Sequence, residues 1–324
     1  MPPEAMPLWQ RLRRHAHWRW AARIASLALL LLIAALLYRQ GRNMDWPGVW
    51  RAVRALPPPV LLAAAGLALA SHLLYGCFDL IGRHYNRLPI RAATTVGITL
   101  VSYPFTLNLG SLIGGVAVRL RLYSRQGLAP LQIGQIAATS VLSNWIGYFP
   151  LAGAALWLWP PKLSTDWLPV TPPWHAIALL LAAVPLAYWL LCAWRHGRPL
   201  AWHGHRFVLP GPWFAPLQVA ASAINWALMS GAVWMLLQQQ APYAAVLSTM
   251  LFGAVAGLVS RVPAGLGVLE AVAVALLAGL APTEQVLAAV LAYRALYYFG
   301  PLLLAVLGFG LVEWRARRRT STIK

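Results

Sequence analysis

Acid is what this chain lacks most. Only seven of its 324 residues are Asp or Glu, against 26 Lys and Arg, and residues of either charge make up 10% of a sequence that is 60% hydrophobic. A water-soluble domain of this size needs a charged shell that such a composition does not supply. Cysteine is almost missing too. Cys77 and Cys192 both sit inside apolar runs, which argues against a disulfide framework or a thiolate zinc site. There is no glycine-rich nucleotide loop, no nucleophile elbow and no paired-carboxylate spacing, so neither an ATP-driven pump nor a hydrolase is indicated. The eight histidines are scattered, and the densest group, His196, His203 and His205, has no acidic or thiol company for a metal. The expectation is a protein that is not an enzyme and holds no cofactor.

What is present is apolar sequence of membrane length. Windows suited to a bilayer span fall at Ala21 to Tyr38, Pro59 to Leu80, Leu131 to Trp159, Trp174 to Trp194, Trp213 to Leu237 and Val286 to Val312. Two more, about 92 to 118 and 243 to 281, are interrupted. The expected fold class is an all-α polytopic membrane protein with about six full spans plus two interrupted or re-entrant helical hairpins. Its first span follows a basic amphipathic start and lacks a small-residue cleavage site, so it is read as retained. One membrane domain, 21–312, then lies between basic tails at 1–20 and 313–324.

The net charge of +19 invites a nucleic-acid reading, and the placement of the charges argues against it. Basic clusters at 11 to 23, 83 to 91, 119 to 125, 195 to 206 and 315 to 319, with Lys324, hold 19 of the 26 basic residues. They share one side if both termini are cytoplasmic and each interrupted window enters and leaves by the same face. The opposite side receives Arg39, Arg42, Arg51, Arg54 and Lys162 with a Trp/Pro-rich loop at 160 to 173. This is the positive-inside asymmetry of a polytopic membrane protein, and anionic lipid is the partner it favours.

Internal similarity adds a second constraint. "GVAVRLRLYSRQGLAP" from Gly115 matches "GVLEAVAVALLAGLAP" from Gly267 at both ends, 152 residues apart, and "ASHLLYG" at Ala70 matches "ASAINWA" at Ala221 more weakly. Each half, about 57–159 and 213–312, reads as span, interrupted window, span. The charge pattern sets the two windows on opposite faces, the layout of an inverted-repeat transporter whose broken helices meet near the midplane. The breaks are "NLGSLIGG" (Asn108, Gly114 and Gly115) and Pro263, Gly265 and Gly267. The first window is short and reads as re-entrant; the second is either a re-entrant pair or two short spans. Irregular backbone at that depth requires a protein or water lining.

Five of the acidic residues fall in loops or tails. Asp79 lies near a span end and reads as an ion pair with Arg83, one turn on. Glu270 has no such exit, and an intramembrane carboxylate is by default a functional candidate. In the repeat alignment it falls opposite Val118, beside Arg119, so the two hairpins are expected to present opposite charges across one cavity. Either that pair locks the halves together or Glu270 couples substrate or proton. Arg294, in "AYRALYYFGP", has Glu270 or a lipid phosphate as its candidate partner. Tyr293, Tyr297 and Tyr298 around it are either interfacial aromatics or part of the site. Asn144 and Asn225 read as interhelical hydrogen-bonding amides.

Together, "GGVAVRLRLYSRQGL", "PAGLGVLEAVAVALL" and "LAYRALYYFGPLLL" resemble the lysylphosphatidylglycerol synthase transmembrane, or flippase-like, family, over nearly the whole chain. In bifunctional members this domain moves aminoacylated phosphatidylglycerol between leaflets while a separate soluble domain makes it. No synthase domain follows here, so the resemblance implies lipid translocation and not aminoacyl transfer. The positions it singles out are Arg119, Arg121, Tyr123, Ser124, Arg125, Pro263, Gly265, Gly267, Glu270 and Arg294. The leading expectation is a translocator of an anionic phospholipid or lipid-linked molecule. Arg119, Arg121 and Arg125 would attract the headgroup, with Glu270 and Arg294 nearer the outer side. The rival is a lipid-binding scaffold for an envelope enzyme; a small-solute transporter ranks third. Homo-oligomerisation is left open.

Overall fold

The computed structural model describes residues 46–110, 115–160, 172–195, 200–202, 205–207, 209, 211–260 and 262–321. The predicted first span, the basic N-terminus, Gly114, Arg261 and the loop at 161–171 lie outside them. The described chain is helical except for a small antiparallel pair, Leu200–Trp202 (β1) with His205–Phe207 (β2).

The helices follow the apolar windows closely. Trp46–Arg54 (α1) is a short amphipathic helix with Val49 buried and Trp50 and Arg54 outside. Next come Pro58–Gly76 (α2), Phe78–Tyr85 (α3), Ala92–Leu109 (α4), Ala117–Ser124 (α5), Pro130–Ile146 (α6), Tyr148–Leu158 (α7) and Trp174–Trp194 (α8). The second half contains Phe214–Leu236 (α9), Tyr243–Ser260 (α10), Val268–Leu276 (α11), Thr283–Tyr293 (α12) and Gly300–Ser321 (α13). Among the described residues, six stretches are long and apolar enough to cross a membrane: Pro58–Tyr85, Pro130–Leu158, Trp174–Trp194, Phe214–Leu236, Tyr243–Ser260 and Thr283–Gly310. Leu62, Leu69, Leu180, Leu303 and Leu304 point outward from them, as side chains bathed in lipid do. The protein is a polytopic all-α membrane protein.

Three of the long stretches are jointed. α2 meets α3 at Cys77, α6 meets α7 at Gly147, and α12 meets α13 through a π-helical segment, Arg294–Phe299. At Gly147 the reason is steric: a Cβ there would lie 2.3 Å from the Ala223 backbone nitrogen, so only glycine lets α9 approach this closely. The Gly147 N–H then donates to Ser222 Oγ at 3.0 Å.

The interrupted windows differ from each other. In the first, α4 and the eight-residue α5 are separated by the predicted break, and Gly115 packs so near Thr106 that a Cβ would sit 2.4 Å from its hydroxyl. In the second, α10 is long enough to cross alone, whereas nine-residue α11 rises only about 14 Å. The two arms are therefore unequal, one long helix with a half-length return packed on it. The turn between them runs through left-handed backbone at Ala264, Gly265 and Gly267, with φ of 55°, 58° and 76°. The two glycines take that conformation without a Cβ penalty, and Ala264 does not.

Candidate functional site

The joint at Cys77 turns Asp79 inward. It is fully buried, and its carboxylate collects four donors: Arg119 Nε at 3.1 Å and Nη2 at 3.2 Å, the Tyr123 hydroxyl at 2.9 Å, and Ser140 Oγ. The acceptor capacity of a carboxylate is thereby well used. This corrects the expected pairing with Arg83, which instead donates to the Ile90 carbonyl. The i to i+4 argument assumed an exposed helix face, but Phe78, Asp79, Ile81 and Gly82 form the buried face of α3 against α6. Arg119 and Tyr123 are consequently interior residues bound to Asp79, while Arg121, Ser124 and Arg125 are exposed at the end of α5.

Glu270 sits one turn into α11 and pairs with Arg294, not with Arg119. The expectation of opposite charges facing each other across the halves is thus replaced by one carboxylate–arginine pair inside each half. Arg294 is the largest of the fully buried side chains among the described residues. Its Nε and Nη2 donate to the two oxygens of Glu270, the second at 2.9 Å. Its remaining donors reach the Ala264 carbonyl at 2.9 Å and the Gly265 carbonyl at 2.8 Å. One guanidinium thus ties the return helix, the left-handed turn and the π segment together, using the fork geometry that lysine lacks. Tyr298 places its ring 5.4 Å from the same group.

A cavity of about 380 Å³ opens in front of this clamp, lined from both halves of the chain. Tyr75, Tyr103, Thr106 and Asn144 come from the first half; Trp226, Met250, Gly257, Ala264, Gly265 and Tyr298 come from the second. Its volume lies within the range of ligand sites, and its walls mix aromatic rings with hydroxyl, amide and bare backbone. On the other face of α10 lies a second, strongly apolar cavity of about 320 Å³, between α7 and α8.

Behind the first cavity runs a buried polar chain. Ser71 Oγ donates to Asn225 Oδ1 at 2.7 Å, so the Tyr297 hydroxyl at 2.8 Å must donate to Ser71. By the same logic Tyr103, 3.1 Å away, donates to Tyr297. Asn225 Nδ2 continues to Asn144 Oδ1 at 3.3 Å, the interhelical amide contact that these residues promised. Asn108, at the first break, donates to the Tyr298 carbonyl at 3.2 Å and so ties the two halves near their breaks. Tyr293 and Tyr297 are fully buried, which decides against an interfacial role for them. The weak repeat match gains meaning here: Ser71 and Ser222 occupy matched positions and both bond across helices, and matched Tyr75 and Trp226 both line the cavity. Sequence reasoning missed Tyr75, Tyr103 and His72. The signal available was their place in "ASHLLYG" and "VSYPF", polar or aromatic residues one turn apart inside apolar helices.

These features define a polytopic helical membrane protein whose two broken hairpins flank a shared internal cavity. The family model described as the lysylphosphatidylglycerol synthase TM region matches residues 23–305, and the chain belongs to that family. It is 36% identical over 307 residues to the inner membrane protein YbhN of Escherichia coli K12, covering 94% of this chain and 96% of that one. It is 30% identical over 329 residues to the uncharacterized protein slr0712 of Synechocystis sp., covering 97% of each.

Proposed function

We propose that this chain moves the headgroup of an anionic phospholipid or lipid-linked molecule across a bacterial inner membrane. The supporting observation is the cavity of about 380 Å³ between the two broken hairpins, with irregular backbone and polar side chains at its wall. Acyl chains stay in the surrounding bilayer while the headgroup crosses. Both termini lie on the cytoplasmic side, where the basic surface around Arg87, Arg91, Arg121 and Arg125 gathers anionic lipid before it enters. Arg119 takes no part in that capture, because its guanidinium already serves Asp79.

A non-transporting lipid scaffold is the second reading, favoured by one observation: the two arginines buried among the described residues, Arg119 and Arg294, already have carboxylate partners within the protein. Purified protein in liposomes, with a leaflet-accessibility assay on labelled anionic lipids, separates the two. Ala254→Phe, which projects a ring into the cavity, is expected to bring exchange down to the rate of empty liposomes while leaving the melting temperature near that of wild type. Wild-type exchange no faster than empty liposomes across a panel of lipids would leave the scaffold standing.

A further inference from the structure

His72, four residues before the C-terminal end of α2, is 5% exposed. Its Nδ1 lies 3.0 Å from the Ala68 carbonyl, an acceptor only, so in the neutral ring Nδ1 carries the hydrogen and Nε2 holds a bare lone pair. Among the described residues no protein group reaches that lone pair. A buried acceptor left unpaired forfeits its bond to water without replacement, and such a cost in a membrane interior calls for a functional account.

The surroundings narrow that account. The His72 ring meets Tyr297 at 4.5 Å and Tyr103 at 5.2 Å between centroids. Tyr103 also lines the cavity, so one aromatic side chain touches both the His72 ring and the place a headgroup and its water would occupy. The Tyr293 hydroxyl is also buried without a partner, and its ring stacks on Tyr297 at 5.1 Å. Two unmatched polar atoms therefore flank the ring that anchors the π segment, a helical form that recurs at functional sites.

The other ionisable groups near α2 are already engaged or are phenols. Helix α9, packed along it, has none; α4 contributes Tyr103, and α2 itself Tyr75. The π segment brings Tyr297, Tyr298 and Arg294, the last bound to Glu270 and the turn. On α3, Asp79 is held by Arg119, with Arg83, His84 and Tyr85 further on. Glu270 uses both oxygens on Arg294, so a proton arriving there would have to break a bidentate pair. A proton arriving at His72 has only to find a lone pair.

We propose that His72 is the proton-binding site that couples headgroup movement to a proton gradient, a step that rests on the translocator reading above. Nε2 takes a proton from cavity water when the Tyr103 ring swings aside, giving an imidazolium that keeps its Nδ1–H bond to Ala68. Release of that proton to the opposite side restores the neutral ring.

Two measurements on the full chain decide this. Nitrogen NMR of histidine-labelled protein in nanodiscs, with His72→Gln to assign the signal, is expected to show hydrogen on Nδ1 alone in the neutral ring and a second hydrogen on Nε2 as the sample is acidified. In proteoliposomes, an imposed pH gradient is expected to speed wild-type lipid exchange about tenfold, whereas His72→Gln keeps gradient-free exchange and loses the acceleration. Should the Gln variant fail to fold, His72→Asn retains an amide donor for Ala68. A variant that still answers the gradient, or a His72 signal that never titrates, overturns the proposal. If wild type moves no lipid under any condition, the translocator reading fails instead, and the NMR titration alone then keeps or removes the proton site.

Discussion

The two buried carboxylate–arginine pairs use the same chemistry for different structural ends. Around Asp79 every donor comes from a side chain, and three helices converge on one carboxylate that has no exposed surface. Around Arg294 it is the cation that sits at the centre, dividing its donors between Glu270 and two backbone carbonyls at the cavity wall. The first arrangement is closed, and each donor makes the others harder to lose. The second holds a left-handed turn in place, and the carboxylate it depends on is 14% exposed. A site that changes shape belongs with the second kind, because a backbone turn released by one guanidinium moves without unpacking three helices.

The largest effect is expected at Asp79. Replacing it with Ala leaves Arg119 buried and uncompensated, which costs about 3–5 kcal/mol, read as a large drop in melting temperature in detergent. Replacing both Asp79 and Arg119 by Leu is expected to recover much of that loss. If Asp79→Ala melts no lower than Glu270→Ala, the contrast between a closed lock and a releasable clamp is gone.

Glu270→Gln comes next. It keeps an acceptor for Arg294 but removes the charge, at a cost of about 1–3 kcal/mol, and lipid exchange is expected to fall more than stability does. A smaller change attends Ser140→Ala, which removes one of four donors to Asp79, about 1 kcal/mol by thermal or chemical unfolding. Smallest, and opposite in sign, is Ala264→Gly: glycine relieves the left-handed backbone, with a gain of at most about 1 kcal/mol set against its greater chain entropy. A clear loss of stability there would mean that the Ala264 methyl packs against something the turn requires.

The helices were legible because bilayer length and apolarity leave few other options, and Trp174–Trp194 coincides with its predicted window. Glu270 and Arg294 were legible as chemistry, since intramembrane charges need partners and few partners existed. What could not be read was orientation. The partner of Asp79 lies 40 residues away rather than four, because the Cys77 joint resets which face of α3 is buried, and periodicity carries no information across a joint. The cavity lining was hidden for a similar reason: Tyr103 and Trp226 look like ordinary apolar-helix aromatics until two halves of the chain come together.

The joints have one more consequence, for the bilayer itself. A straight helix of 28 residues, the length of Pro58–Tyr85 and of Thr283–Gly310, would be about 42 Å long against a hydrocarbon layer of about 30 Å. A rigid rod of that length must tilt steeply, protrude or stretch the surrounding lipid. The breaks in regular α-helix at Cys77 and in the Arg294–Phe299 segment are the points at which such a rod can bend instead. A chain able to bend at these joints would meet membranes of different thickness with less deformation of the neighbouring lipid.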